Sequence, residues 1–159
     1  DNPRLNVRRV TGPNPRPIIL DSRLRMPLDA NLLEGHPEAW IATTPHAPRE
    51  RVQAFEDKGV RVFEVEALPN GWVNPASAQK RLRDEGIQTL MIEGGAHILT
   101  SHLQHRLADY LIATLSMQLI GGLHSLLGLP AGYAAPKLSP WHSAVLGEDL
   151  IIGGNLQWT

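Results

Sequence analysis

Cysteine is absent from the sequence. This absence excludes disulfide bonds, cysteine-based zinc sites and a thiol nucleophile, and it favours a cytoplasmic protein. It also excludes the zinc site of the base deaminases, which takes ligands from a P-C-x-x-C motif. No run of about eighteen apolar residues occurs, so we expect no membrane-spanning helix.

Positive charge is not in excess either. The 159 residues contain 15 Lys and Arg against 16 Asp and Glu, for a net charge of -1, and no long basic run breaks this balance. We therefore expect no nucleic-acid partner. His102 and His105 lie three positions apart on a predicted helix, but no carboxylate completes a metal site near them. Surface histidines are the favoured interpretation, and we expect no bound metal.

Several signature motifs are also missing. We find neither G-x-G-x-x-G nor a Walker-A loop, and neither the G-x-S-x-G nucleophile turn nor H-E-x-x-H. The chain must therefore be interpreted from the order of its predicted elements and from the residues where those elements meet.

Short apolar runs alternate with amphipathic segments along the chain. This alternation predicts an α/β fold with a mostly parallel central sheet, helices on both faces and a C-terminal antiparallel hairpin. We expect one domain over residues 1–159. The predicted strands span residues 16–21, 39–43, 60–65, 89–93 and 109–120, the predicted helices span 49–58, 74–85 and 96–107, and the hairpin spans 143–152.

A glycine pair follows the fourth predicted strand, in the sequence Glu93-Gly94-Gly95. Ligands of open α/β sheets bind beyond the carboxyl ends of the strands. Glycine allows a close backbone approach, and the first N–H groups of the next helix favour an anion such as a pyrophosphate. A tight turn with close packing is the alternative. His97 could contact a phosphate or be exposed, and Glu93 on its own is better interpreted as a solvated or capping acid.

Two other strand ends carry polar residues. Ser22, together with Arg23 or Arg25, suits the 2′-phosphate that distinguishes NADPH from NADH, because hydroxyl and guanidinium groups both donate to phosphate. The same residues are common in ordinary loops. The pair Thr43-Thr44 closes the second strand and is compatible with cofactor contacts or with a helix cap.

Four segments in order resemble one known family. They are Asp1-Asn2-Pro3-Arg4-Leu5-Asn6-Val7-Arg8, residues 16–24, Met91-Ile92-Glu93-Gly94-Gly95-Ala96 and residues 107–122. The chain resembles the reductase domain of bacterial riboflavin-biosynthesis deaminase–reductases, which have the dihydrofolate-reductase-like fold. The resemblance implies that NADPH reduces the ribosyl group of 5-amino-6-(5-phosphoribosylamino)uracil to a ribityl chain. Hydride would pass from the nicotinamide C4 to C1 of the open-chain imine.

The resemblance also implies roles for individual residues. Leu5, Arg8 and Glu93 would bind the substrate, with Arg8 a natural partner for its phosphate. The start of the third helix would surround the cofactor pyrophosphate. No residue is identified as the proton donor. The implied cofactor-binding residues are Asn2, Ser22, Gly94, Gly95, Ala96, His97, Ile98, Leu99, Thr100 and Ser101.

The family carries a strand and a helix upstream of the segment that begins at Asp1. We therefore expect the domain to be N-terminally incomplete. Family resemblance also predicts a homodimer, to which the apolar residues 109–120 are suited. Three alternatives remain open: a dihydrofolate-reductase-like paralogue that acts on another heterocycle, a non-catalytic nucleotide-binding module, and a flavodoxin-like structural domain whose glycines only make turns.

Overall fold

The computed structural model describes residues 2–34, 38–118 and 124–158. The chain divides into two compact units, Asp1–Gln88 and Thr89–Thr159, and each has its own sheet. The expectation of a single, N-terminally incomplete domain stays a prediction.

The first unit is built on a parallel sheet. Strands β1 (Ile18–Leu20), β2 (Trp40–Thr43) and β3 (Arg61–Glu64) lie in the order β1-β2-β3. Both pairings are parallel, and every residue of β2 is buried, as expected for a central strand covered on both faces. All three predicted strands are confirmed, each shorter than its apolar run.

Helices separate these strands. A short 3-10 helix (Asn31–Leu33) lies between β1 and β2, and α1 (Arg49–Glu56) lies between β2 and β3. Helix α2 (Pro75–Asp84) follows β3 and begins as the sequence predicts. The Asn74 side chain accepts hydrogen bonds from the first backbone N–H groups of the helix, and Pro75 takes the first helical position.

The core of the first unit has two halves because neighbouring residues of β2 point to opposite faces of the sheet. Ile41 belongs to one apolar cluster together with Phe55 of α1. Trp40 and Ala42 belong to the other, together with Leu82 of α2. The expectation of helices on both faces is therefore confirmed for this sheet.

The described residues of the second unit form one helix and an antiparallel sheet. Helix α3 (Ala96–Gln104) precedes β4 (Tyr110–Leu115), and a long hairpin follows, formed by β5 (Lys137–Leu146) and β6 (Asp149–Gln157). The strand order is β4-β6-β5. The predicted hairpin is confirmed and is longer than expected. The α/β class is confirmed too, with the described strands in one parallel and one antiparallel sheet.

The predicted strand at residues 89–93 is wrong, since no strand forms there and Met91 is 76% exposed. An extended segment becomes a strand only when a neighbouring backbone pairs with it, and β4, β5 and β6 pair among themselves. The predicted strand at 109–120 forms as β4, and residues 119 and 120 lie outside the described residues. None of the described helices is both long and apolar enough to cross a membrane.

His102 of α3 is only 4% exposed, so the expectation that it is a surface histidine is wrong. Its Nδ1 lies 2.8 Å from the Ile98 carbonyl oxygen. Burial lowers the pKa of His102 below the usual histidine value, and the hydrogen bond to Ile98 opposes this effect without cancelling it. The neutral form therefore predominates in the folded protein near neutral pH.

We expect the Asn74→Ala substitution to lower the free energy of unfolding by about 1 kcal/mol, because the first N–H groups of α2 lose their acceptor. Urea unfolding followed by circular dichroism measures this change. Asn74→Ser is the matched control, since serine also caps helices and should retain most of the stability. Equal losses in the two variants would contradict the capping role of Asn74.

We expect His102 to make the protein less stable as the pH falls. Because its pKa is lower in the folded state, the unfolded state binds the proton more readily, and stability decreases below the usual histidine pKa of about 6.5. One such group adds at most about 1.4 kcal/mol per pH unit. Chemical unfolding between pH 8 and 5.5 should show a shallower dependence for His102→Gln. The exposed His105, whose ring makes the same type of backbone bond, provides the His105→Gln control.

Candidate functional site

The residues implicated by the sequence fall into two groups, one in each unit. The loop after β1 and the N-terminal segment carry the first group, and the start of α3 carries the second. The first group is Asn2, Leu5, Arg8 and Ser22, and the second is Glu93, Gly94, Gly95, Ala96, His97, Ile98, Leu99, Thr100 and Ser101.

The structure explains only one of the two glycines before α3. Gly94 has φ +149°, and a Cβ atom there would lie 3.3 Å from Cβ of Ile98, so the backbone conformation and the close packing both favour glycine. Gly95 has φ -73° and is the N-cap of α3. Apart from its chain neighbours and the backbone of its own helix, no atom of the described residues lies within 4 Å of a Cβ atom placed on Gly95. The described structure therefore gives no packing reason for glycine at position 95.

The start of α3 has the electrostatic character of an anion site. The Gly95 carbonyl accepts hydrogen bonds from the N–H groups of Ile98 and Leu99, which begins the helix. No side chain caps this end, and no acidic residue lies in the first turn. The partial positive charge of a helix N-terminus is therefore not offset by a carboxylate of the first turn. A bound phosphate could compensate it.

Further along α3 the side chains belong to the interior of the second unit. Thr100 is 3% exposed, and its hydroxyl accepts a hydrogen bond from the Leu127 N–H at 2.8 Å. The hydroxyl of Thr100 is thus used by the fold. Glu93 and His97 are exposed. The remaining predicted cofactor contacts of this helix are half-buried: Ala96, Ile98, Leu99 and Ser101.

The loop after β1 carries Ser22. The Ser22 hydroxyl accepts a hydrogen bond from the Val73 N–H at 2.9 Å. A serine hydroxyl has one donor and two acceptor positions, so this bond leaves its O–H group able to donate to a phosphate. Ser22 can therefore stabilise the loop through its bond with Val73 and still donate a hydrogen bond to a ligand.

The two threonines that close β2 hold this loop in place. Thr43 donates its hydroxyl to the Asp21 carbonyl at 2.7 Å, and Thr44 donates to the Ser22 carbonyl at 2.9 Å. Both side chains are fully buried. The Thr44 oxygen also accepts from the His46 N–H at 3.3 Å. Their role is therefore to support the loop that carries Ser22.

The N-terminal segment lies against the 3-10 helix. The Asn2 side-chain oxygen accepts a hydrogen bond from the Asn31 N–H at 2.8 Å, and the Asn2 carbonyl accepts one from the Asn31 side chain at 2.9 Å. Leu5 is half-buried with φ +49°, and Arg8 is exposed. The side-chain oxygen of Asn6 is buried without a hydrogen-bond partner among the described residues.

One residue of this region carried no sequence signal. Arg51 of α1 donates hydrogen bonds to the carbonyl groups of Leu24 and Met26 in the loop after β1. An arginine on an amphipathic helix gives no indication of which distant carbonyl groups it will reach. Across the part of the chain that the structure describes, no cluster of three or more histidine, aspartate or glutamate residues could hold a metal ion.

Comparisons with known proteins agree with the resemblance drawn from the sequence. The family model of the RibD C-terminal domain matches residues 1–152. The 2,5-diamino-6-ribosylamino-4(3H)-pyrimidinone 5′-phosphate reductase of Aquifex aeolicus is 36% identical over 139 residues, which cover 87% of this chain and 60% of that protein. The riboflavin biosynthesis protein RibD of the same organism is 32% identical over 155 residues, 96% of this chain and 42% of that protein.

A solved structure supports the fold. The riboflavin biosynthesis reductase Rib7 of Saccharomyces cerevisiae superposes with a TM-score of 0.78 at 21% identity, over 98% of this chain and 70% of that one. This likeness confirms the fold class that the resemblance implied. The chain spans only part of these two Aquifex aeolicus relatives, 60% of the reductase and 42% of RibD. Because the family model covers nearly the whole chain, this protein belongs to the RibD C-terminal domain family.

Proposed function

We propose that this chain is an NADPH-dependent reductase of riboflavin biosynthesis. The reaction would convert the ribosyl group of 5-amino-6-(5-phosphoribosylamino)uracil to a ribityl chain. The observation that carries the proposal is the start of α3. The chain belongs to this family, and Gly95 leaves space for a phosphate close to the first N–H groups of the helix. The fold would also accommodate a Cβ atom at this position, so the fold alone does not explain the glycine.

NADPH fits the chemistry of both groups of residues. The backbone N–H groups at the start of α3 would hold the pyrophosphate, and the Ser22 hydroxyl would donate to the 2′-phosphate. Asn2 would contact the cofactor through its amide, whose oxygen is bonded to Asn31. When bound, NADPH supplies the hydride, and the protein aligns the reactants and excludes water.

The substrate would be recognised by charge and by hydrogen bonding. Arg8 is exposed and would pair with the substrate phosphate, for which guanidinium is a good match. The exposed carboxylate of Glu93 would accept N–H bonds from the aminopyrimidine ring, and Leu5 would supply an apolar contact. A second candidate substrate is the 2,5-diamino-pyrimidinone phosphate, because the Aquifex aeolicus relative is named for it.

We further propose that the protein works as a homodimer in the cytoplasm. Strand β4 supports the dimer because Leu111, Ile112 and Leu115 are exposed large apolar residues. The absence of cysteine and the metabolic role of the relatives support the location. Sedimentation of the chain and of Ile112→Lys tests the dimer. A monomeric parent chain would contradict it.

The proposed reaction is tested by titration and by turnover. Calorimetry with NADPH, NADH and FMN should show binding of NADPH in preference to the other two. Loss of NADPH absorbance with each of the two pyrimidine phosphates then identifies the substrate. A folded chain that binds no NADPH would contradict the proposal. Binding with turnover of neither compound would support a paralogue for another heterocycle or a non-catalytic module.

We expect Gly95→Ala to weaken NADPH binding by about tenfold, equivalent to about 1.4 kcal/mol, because a methyl group would stand where the pyrophosphate approaches. The free energy of unfolding should fall by only about 1 kcal/mol or less, since the fold leaves space for the methyl group. Calorimetric titration and urea unfolding of the same sample measure the two effects.

Gly94→Ala is the matched comparison, and its main effect should be on the free energy of unfolding and not on NADPH binding. Its positive φ and the close Ile98 side chain should reduce stability by about 1–3 kcal/mol. If Gly95→Ala binds NADPH as tightly as the parent chain, the pyrophosphate does not lie at this helix start.

A further inference from the structure

The loop after β1 (residues 21–26, here the β1 loop) is held by several hydrogen bonds from other parts of the first unit. Besides the bonds from Thr43, Thr44 and Val73, the Asp21 carboxylate accepts a hydrogen bond from the Met26 N–H at 2.8 Å. Leu24, in the middle, has φ +52° and is 1% exposed. A leucine keeps this left-handed conformation only when its surroundings fix it.

Arg51 binds this position directly. Its Nε donates to the Leu24 carbonyl at 2.9 Å and its Nη2 donates to the Met26 carbonyl, so one guanidinium group joins two alternate residues of the β1 loop. The guanidinium carbon lies 5.1 Å from the centre of the Phe55 ring, which is fully buried. The Phe55 ring of the same helix therefore packs against the guanidinium group that binds the loop.

The exposure of the β1 loop alternates along its length. Leu24 is buried and Met26 is half-buried, whereas Arg23 and Arg25 between and beside them are exposed. The carbonyl groups that Arg51 binds therefore belong to the inward residues. Holding those residues presents the two outward guanidinium groups, together with the Ser22 hydroxyl, in one fixed loop conformation.

We propose that Arg51 is a positioning residue that holds the β1 loop in the conformation that binds the 2′-phosphate of the cofactor. The inference rests on the proposed function, because it needs NADPH as the ligand. Arg51 does not touch the phosphate. It acts through Ser22, Arg23 and Arg25, whose polar groups are the donors that a phosphate requires. A loop that is already ordered loses less conformational entropy when the ligand binds.

The requirement is for arginine in particular. A planar guanidinium group donates in two directions at a fixed angle, which suits two carbonyl groups two residues apart. A lysine ammonium on a flexible chain can reach one of these carbonyl groups without fixing both. Arg51→Lys should therefore keep the positive charge and restore only part of the function.

The test uses 2′,5′-ADP, which carries the 2′-phosphate, and 5′-AMP, which lacks it. Calorimetric titration should show that Arg51→Met weakens 2′,5′-ADP binding by about tenfold while 5′-AMP binding changes by less than about twofold. Arg51→Lys should lie between Arg51→Met and the parent chain. Arg49→Met, at an exposed position at the start of the same helix, should bind both compounds as the parent does.

Two further measurements separate positioning from general loss of structure. If Arg51 acts through Ser22, the double variant Arg51→Met with Ser22→Ala should bind 2′,5′-ADP more tightly than independent, additive effects predict. Backbone amides of residues 22–26 should exchange hydrogen faster in Arg51→Met than in Arg49→Met, with or without nucleotide.

The outcomes distinguish this inference from the proposed function. If the parent chain binds neither NADPH nor 2′,5′-ADP, the proposed function is wrong and the positioning role is overturned with it, whatever the exchange rates show. If the parent chain binds both and Arg51→Met binds 2′,5′-ADP equally well, only the positioning role is wrong. Equal loss of 2′,5′-ADP and 5′-AMP binding, in Arg51→Met and in Arg51→Lys, also overturns it.

Discussion

The start of α3 is a helix end to which no described side chain provides a cap, and two glycines precede its first residue. Gly94 is explained by the protein itself, since its positive φ and the closeness of Ile98 both disfavour a Cβ atom. Gly95 is not explained in this way, because a Cβ atom there would meet open space. A phosphate drawn to the positive end of the helix would need that space. The open space at Gly95 is therefore compatible with the proposed phosphate site.

The second group of residues in the proposed cofactor site lies at the ends of the parallel strands. The buried hydroxyl groups of Thr43 and Thr44 are bonded to backbone carbonyls of the loop after β1, so they support it without facing a ligand. Ser22 is different because its oxygen accepts one bond from Val73 and its O–H group remains a donor. Thr43 and Thr44 therefore support the loop, and Ser22 would contact the phosphate in the proposed site.

Local patterns in the sequence predicted much of this fold, and contacts between distant residues account for what they missed. Asn74 and Gly86 mark the two ends of α2 because caps and left-handed stops act over a few residues. Residues 89–93 have the composition of a strand, but a strand also needs a partner, which no local pattern specifies. The bond from Val73 to Ser22 spans 51 residues, and those from Arg51 span 25 and 27, so the state of the β1 loop was not predictable.

The most direct measurement of the central claim is chemical-shift mapping of the backbone amides during addition of NADPH. The account predicts the largest changes at Gly95 and Ala96 and in the loop at Ser22, with smaller changes along β5 and β6. The opposite result would be unchanged amides at these positions together with large changes elsewhere, for example in the charged groove lined by Glu64 and Lys80. That result would contradict an NADPH site at the start of α3.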